Sequence, residues 1–218
     1  MKPSKVFEVY EEGRYIYTKS ISPGINVYGE KTIRAGGAEY REWDPRRSKL
    51  AAAIVKGCPN VGIRKGDCVL YLGAATGTTV SHVSDMVGKE GFVFALDFAP
   101  RVVRDLVLMA LKRPNIAPIL GDANRPETYL SRIMQPDVVF QDIAQKNQVE
   151  IFLKNCKLLK KDGYGLLALK SRSIDVTKKP RDVFKSVQRE LEKEIIVFDY
   201  KELQPFENDH CMFICKKR

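Results

Sequence analysis

Long apolar stretches are missing from this chain: no run in the 218 residues approaches the roughly 20 needed to cross a bilayer. Its first residues, MKPSKVFEVYEEG, lack the apolar centre of a secretory signal. No membrane association and a cytoplasmic location are therefore expected. Cysteine is sparse and odd in number, five residues without a C-x-x-C, which argues against a disulfide framework and against a zinc site. No metal is expected. There are only two histidines and one tryptophan. No G-x-G-x-x-G occurs, which weakens a nicotinamide or flavin dinucleotide. Internal repeats, low-complexity tails and glycine-arginine-rich segments are also lacking.

What is present is a basic globular chain. Its formal net charge is +10, with 44% hydrophobic residues. A chain of this length buries about 70% of its unfolded surface, so no staple is needed. Residues 1–65 carry 13 basic against 7 acidic side chains, the remainder 24 against 20. A surplus concentrated at one end favours a polyanionic partner through counterion release. The alternative is a solvated, lysine-rich surface.

Residues 1–43 read as a small β domain. Val6–Tyr10 and Arg14–Lys19 flank the turn Glu11-Glu12-Gly13, and a second pair of short strands is expected over Asn26–Ile33 around Gly29-Glu30. Asp44-Pro45 looks like an N-cap followed by proline at the first helical position, opening a helix over Arg46–Lys56 that Gly57 closes. Residues 44–218 form the second domain. From Cys68 onward strands and helices alternate, which implies a mostly parallel sheet covered on both faces. Strands are expected at Val69–Leu72, Phe92–Asp97, Ile116–Leu120, Asp137–Gln141, Tyr164–Lys170, Ile195–Leu203 and Cys211–Cys215. The link before the last is too short for a parallel crossover, so that strand must run antiparallel.

Ligands of such sheets bind beyond the carboxyl ends of the parallel strands. That rule selects the glycine turn Gly73–Gly77 and the helix start at Thr78-Thr79, where backbone N–H groups lie open. It also selects Asp97, 24 positions beyond Gly73 and suited to a ribose diol, and Asp122, which can accept from an adenine amino group. Further along the same edge come Asp142–Gln145, Lys170 and, because the last strand is reversed, His210. Asp142, Lys170 and His210 should converge. Each has a plainer alternative: Asp97 and Asp142 as helix caps or surface charges, Lys170 as a solvated strand end. His82 and Cys211 read as structural, and Trp43 as a packing anchor.

These pieces together resemble fibrillarin in its archaeal form, the box C/D RNA 2′-O-methyltransferase family, over essentially the whole chain. The resemblance is carried by EYREWDPRRSKLAAAI, YLGAATGTTVSHVSD, VFALDFAPR, DVVFQDIAQ, LALKSRSID and FENDHCMFI, in that order. Asp97 stands where the family usually has glutamate and Ile143 where it has valine; the carboxylate is kept with one methylene less reach. The absence of a glycine-arginine-rich segment separates the chain from the nucleolar form.

The resemblance implies a Rossmann-like, class I methyltransferase fold with S-adenosylmethionine as cofactor. It places Gly73, Ala74, Thr78 and Thr79 on the methionine side, Asp97 and Phe98 at the ribose and adenine, and Asp122 and Ala123 at the adenine. It brings Asp142, Ile143, Ala144 and Gln145 to the methionine end. The family's Lys-Asp-Lys-His set maps onto Lys49, Asp142, Lys170 and His210. Lys170 is the expected base for a single displacement at a ribose 2′-hydroxyl, provided that burial and nearby positive charge lower its pKa; His210 is the alternative proton acceptor. Arg34, Arg41, Arg46 and Arg47 are the expected phosphate contacts. Guide and target RNA, a Nop-domain scaffold protein and a kink-turn-binding ribosomal-type protein are the implied partners. Two other functions remain open: methylation of a protein glutamine, and a catalytically silent subunit of the particle.

Overall fold

A computed structural model of the chain describes residues 1–58 and 60–218. The first sheet holds β1 (Lys2–Pro3), β2 (Val9–Glu12), β3 (Tyr15–Lys19), β4 (Thr32–Ala35) and β5 (Ala38–Glu42), antiparallel in the order β1-β2-β3-β5-β4. A hairpin forms at Gly13, but its first strand is Val9–Glu12 rather than Val6–Tyr10, so that Glu11 and Glu12 pair with Ile16 and Tyr15 instead of turning; the second hairpin does not lie where the sequence suggested. It turns at Gly36-Gly37, and residues 20–31 form no strand. Two inward carboxylates claim that stretch instead. Glu30 accepts the Val27 and Tyr28 N–H groups, and Glu39 accepts that of Gly24. Backbone donors spent on side chains are not free for a ladder.

Helix α1 covers Lys49–Val55, later than expected, and Ser48 is its N-cap, accepting from the Ala51 N–H at 3.3 Å. Asp44-Pro45 makes a turn rather than a helix start. The Arg47 N–H reaches the Asp44 carbonyl at 3.0 Å, while the Asp44 side chain accepts from Arg46. Aspartate followed by proline favours that turn.

The alternation then follows as β6 (Cys68–Leu72), α2 (Thr78–Val87), β7 (Phe92–Asp97), α3 (Pro100–Ala110), β8 (Ile116–Leu120), β9 (Val138–Gln141), α4 (Gln148–Cys156), β10 (Tyr164–Lys170), α5 (Ser171–Ile174), α6 (Pro180–Leu191), β11 (Ile196–Glu202) and β12 (His210–Lys216). The second sheet runs β11-β12-β10-β9-β6-β7-β8, with β12 antiparallel to both its neighbours and β6 to β10 parallel. The chain reverses its direction of travel between β6 and β9, the crevice where such sheets take ligands.

Alternation along the strands sorts the core into two layers. Tyr71, Phe140, Leu166, Ala168, Met212 and Ile214 face α1 and α2. Leu70, Leu72, Val139, Leu167, Leu169 and Phe213 face α4 and α6. Lys170, two beyond Ala168, and His210, two before Met212, continue the first of these faces past the end of the core. Lys49, at the first position of α1, overhangs the same face.

The first sheet is fastened to α2 through a sealed polar cluster. Arg41 reaches Glu30 at 2.6 Å and Asp85 at 2.7 Å; Arg113 reaches the other Asp85 oxygen at 2.8 Å. Thr18 donates to Asp85 and accepts from His82 Nδ1, each at 2.8 Å, while Tyr28 donates to His82 Nε2 at 2.6 Å. Trp43 stacks on His82 at 4.8 Å. Burial, followed by the two guanidinium groups, drives the His82 pKa well below the usual histidine value, so the ring is neutral. Trp43 and His82 are thus the packing elements the sequence suggested.

Candidate active site

A cleft of about 320 Å³ opens at the carboxyl ends of β6, β7, β8 and β9. Gly73 and Ala75 of the glycine turn, Asp97 and Phe98, Asp122 and Ala123, and Asp142 to Gln145 all line it. Gly73 has φ +79°, and a Cβ there would overlap the Asp142 carbonyl, so only glycine lets the two loops close on each other. Asp97 is buried, and its two oxygens accept the Ala75 and Ala99 N–H groups at 3.0 Å each. A carboxylate has about four lone-pair sites, so two acceptor positions remain for a ligand diol. The Phe98 ring is 67% exposed at the cleft rim, an apolar plane with no core to serve.

Nine of the twelve expected cofactor residues line this cleft. Ala74, Thr78 and Thr79 do not. Ala74 is buried beneath the turn, and the Thr79 hydroxyl donates to Ser48 Oγ at 3.0 Å, latching the start of α2 to the cap of α1. Leu96, Gly121 and Ala75 complete the lining. Ala75 lies within the Gly73–Gly77 turn selected from the sequence, whereas Leu96 and Gly121 carry no side-chain chemistry to single them out.

Asp142 links the cleft to a polar group on the α1 face. Lys49 Nζ sits in the fork of its carboxylate, 3.0 Å from either oxygen, with both side chains about one-fifth exposed. Lys170 and His210 lie directly opposite each other across β10 and β12. Directly opposed residues share a face, and their Cβ atoms stand about 5 Å apart. His210 Nδ1–H donates to the Asn208 carbonyl at 2.6 Å, which leaves Nε2 a lone pair. Burial pushes the His210 pKa down; the Asn208 carbonyl opposes this, Lys49 adds to it, and Glu207 and Asp142 oppose it. The ring is neutral at pH 7. Among the described residues, Lys170 Nζ has no hydrogen bond or ion pair. Lys49 pairs with Asp142, Lys170 stands opposite His210, and Lys49 and Asp142 are both near enough to His210 to act on its charge.

The arginines divide. Arg34, Arg46 and Arg47 are exposed. Arg41 is not: its side chain is 0% exposed and fully engaged by Glu30, Asp85 and Ser81, so it cannot touch a phosphate. The expectation for Arg41 is corrected on that ground.

The strand order, the reversed β12 and the glycine turn at the switch point define a Rossmann-like methyltransferase fold. Within that class the chain belongs to the fibrillarin family, whose model, described as Fibrillarin, matches residues 1–218. The fibrillarin-like rRNA/tRNA 2′-O-methyltransferase of Pyrococcus furiosus is 52% identical over 203 residues, 93% of this chain and 89% of that protein. A fibrillarin of Aeropyrum pernix, solved with natively bound S-adenosyl-L-methionine, is 45% identical with a TM-score of 0.85, covering 92% of this chain and 88% of that one. A fibrillarin solved in complex with Nop5p is 39% identical with a TM-score of 0.90, covering 100% of both chains.

Proposed function

We propose that this chain is an S-adenosylmethionine-dependent RNA 2′-O-methyltransferase, acting on ribosomal and transfer RNA as the catalytic subunit of a guide-directed ribonucleoprotein. The observation that carries the proposal is the position of Asp142, which lines the cleft on one side and holds Lys49 on the other, beside Lys170 and His210.

The cleft fits the cofactor. Its volume is that of a small-molecule site, and the Gly73 approach forms a cradle that a side chain would fill. Asp97 has two acceptor positions for ribose hydroxyls, Phe98 offers a ring face to adenine, and Asp122 lies on the rim to accept from its amino group. When bound, S-adenosylmethionine supplies a sulfonium methyl group as electrophile and leaves as a neutral thioether.

The protein's share of the reaction is orientation and proton transfer. Lys170 accepts the 2′-hydroxyl proton as the ribose oxygen bonds to the methyl carbon; a positioned base contributes about 10²- to 10⁴-fold. Asp142 fixes Lys49, whose ammonium opposes protonation of its neighbours. A second reading, with His210 as acceptor, is favoured by its free Nε2 and lowered pKa. Comparing Lys170→Ala with His210→Gln separates them, because the true acceptor's loss removes the acidic limb of the pH–rate profile, the fall in rate as that group takes up a proton. Arg34, Arg46 and Arg47 bind phosphates.

A Nop-domain scaffold, as in the fibrillarin/Nop5p complex, and a kink-turn-binding protein complete the particle. No helix among the described residues is long and apolar enough to cross a membrane, and the proposed place of action is the cytoplasm. The test is guide exchange in the assembled particle with labelled cofactor. The methylated nucleotide should move with the guide. Label on protein, or methylation indifferent to the guide, would refute the proposal.

A further inference from the structure

Lys170 ends β10, and the ladder with β9 stops before reaching it. The parallel register runs from Tyr164 opposite Val138 to Leu167 opposite Gln141. On its other side Lys170 pairs with His210, but the bond beyond this pair runs from Ser171 N–H to the Asp209 carbonyl. The peptide groups of Lys170 itself therefore point away from β12, toward the place that β9 has vacated.

Gln148, the first residue of α4, fills that place. Its Oε1 accepts the Lys170 N–H at 3.1 Å, and its Nε2 donates to the Lys170 carbonyl at 3.2 Å. One primary amide thus imitates the missing strand peptide. The same Nε2 donates to the Gln145 carbonyl at 2.9 Å, and the Gln148 carbonyl accepts from Gln141 Nε2 at 2.6 Å. Gln148 is completely buried. It makes one frame of three parts: the end of β9, the cleft loop that begins at Asp142, and the last residue of β10. A buried amide with partners on two segments, on a residue whose own carbonyl holds a third, has one geometry available to it.

We infer that Gln148 is a positioning residue of the methyl transfer, setting Lys170 against the cleft loop without touching substrate or cofactor. The inference rests on the role given to Lys170 above. Gln148→Met keeps length and loses every side-chain hydrogen bond while the main-chain bond from Gln141 stays; Gln148→Glu keeps the acceptor and, once ionised, loses the donors. In the assembled particle Gln148→Met should lower kcat about 10- to 100-fold, the scale of a displacement near 1 Å. The KM for RNA should stay within about twofold, and the pH–rate profile should shift because Lys170 changes its surroundings. Gln148→Glu should be less impaired at acid pH, where its protonated form can still donate.

Amide hydrogen exchange in the full chain gives a readout that needs no turnover. Lys170 N–H should lose protection in Gln148→Met while Leu169 keeps its own. Wild-type kcat and pH profile in both folded variants, or unchanged protection at Lys170, would overturn the inference, as would failure of both variants to fold. A wild-type particle that methylates no RNA counts against the proposed function alone, since the exchange result still decides this one.

Discussion

The molecule contains two clusters of nearly the same ingredients. Below the first sheet lie two cations, Arg41 and Arg113, with Asp85, Glu30 and His82. At the carboxyl edge of the second sheet lie two cations, Lys49 and Lys170, with Asp142 and His210. The first is sealed, and its carboxylates are matched to guanidinium groups that never lose their charge. The second is half open and uses lysines, whose charge burial and neighbours can move. Among the described residues it pairs one of its two lysines, Lys49, with a carboxylate and leaves Lys170 Nζ without a partner. Charges balanced two against two hold two layers together, whereas a set with an unpaired lysine is left with a proton site to offer.

Breaking the sealed cluster should have the largest effect. Asp85→Ala strands the buried Arg113 guanidinium and takes one of Arg41's two carboxylates, and should cost roughly 3–5 kcal/mol of stability, read by chemical denaturation. The molecules that remain folded should keep their turnover. Intact stability in this variant would erase the distinction between the clusters.

The mirror experiment is Lys170→Ala. Turnover should fall by about two decades or more while unfolding stability moves by no more than about 0.5 kcal/mol and cofactor affinity is retained. Near-normal turnover would pass the proton to His210.

Acid sharpens the contrast further. His82 has its folded pKa well below 6.5, so between that value and the unfolded one only the unfolded chain takes the proton. Its contribution is complete above about pH 6.5 and is lost as pH falls, at up to about 1.4 kcal/mol per unit. His82→Gln should flatten the stability curve between pH 6.5 and 5; His210, shifted in the same direction, should keep a residual slope. The smallest effect belongs to Arg46→Ala and Arg47→Ala, each expected to reduce the salt slope of RNA binding by about one with stability unchanged. Arg41→Ala should do the opposite.

Most of the architecture was legible because each strand of the second sheet is a short apolar run bounded by glycine, proline or charge, and because the link before β12 is too short for a crossover. The convergence of Asp142, Lys170 and His210 followed from strand direction alone. Lys49 did not; it came from likeness to a family, since nothing in RRSKLAAAI says which face of the helix meets the sheet. Arg41 was misplaced for a related reason. In β5 the alternation buries Glu39 and Arg41, and charged residues pointing inward make sense only with Glu30 and Asp85 in view, 11 and 44 positions away. A clue existed in α2, where Ser81, His82, Ser84 and Asp85 are buried among valines. A helix enclosed on all sides is ordinarily apolar, so polar residues there require partners from elsewhere. The Gln148 amide left no trace in the sequence, because its role depends on where the β9 ladder stops.

The Arg41–Asp85 fastening has an implication for anyone wishing to excise the amino-terminal sheet or graft it from a cousin. The piece looks like a detachable module, yet its removal would take Thr18, Glu30 and Arg41 with it. Asp85, Arg113 and His82 would then sit bare on the surface of the remainder. A truncated enzyme would need those three redesigned as a set before it could be expected to stay in solution.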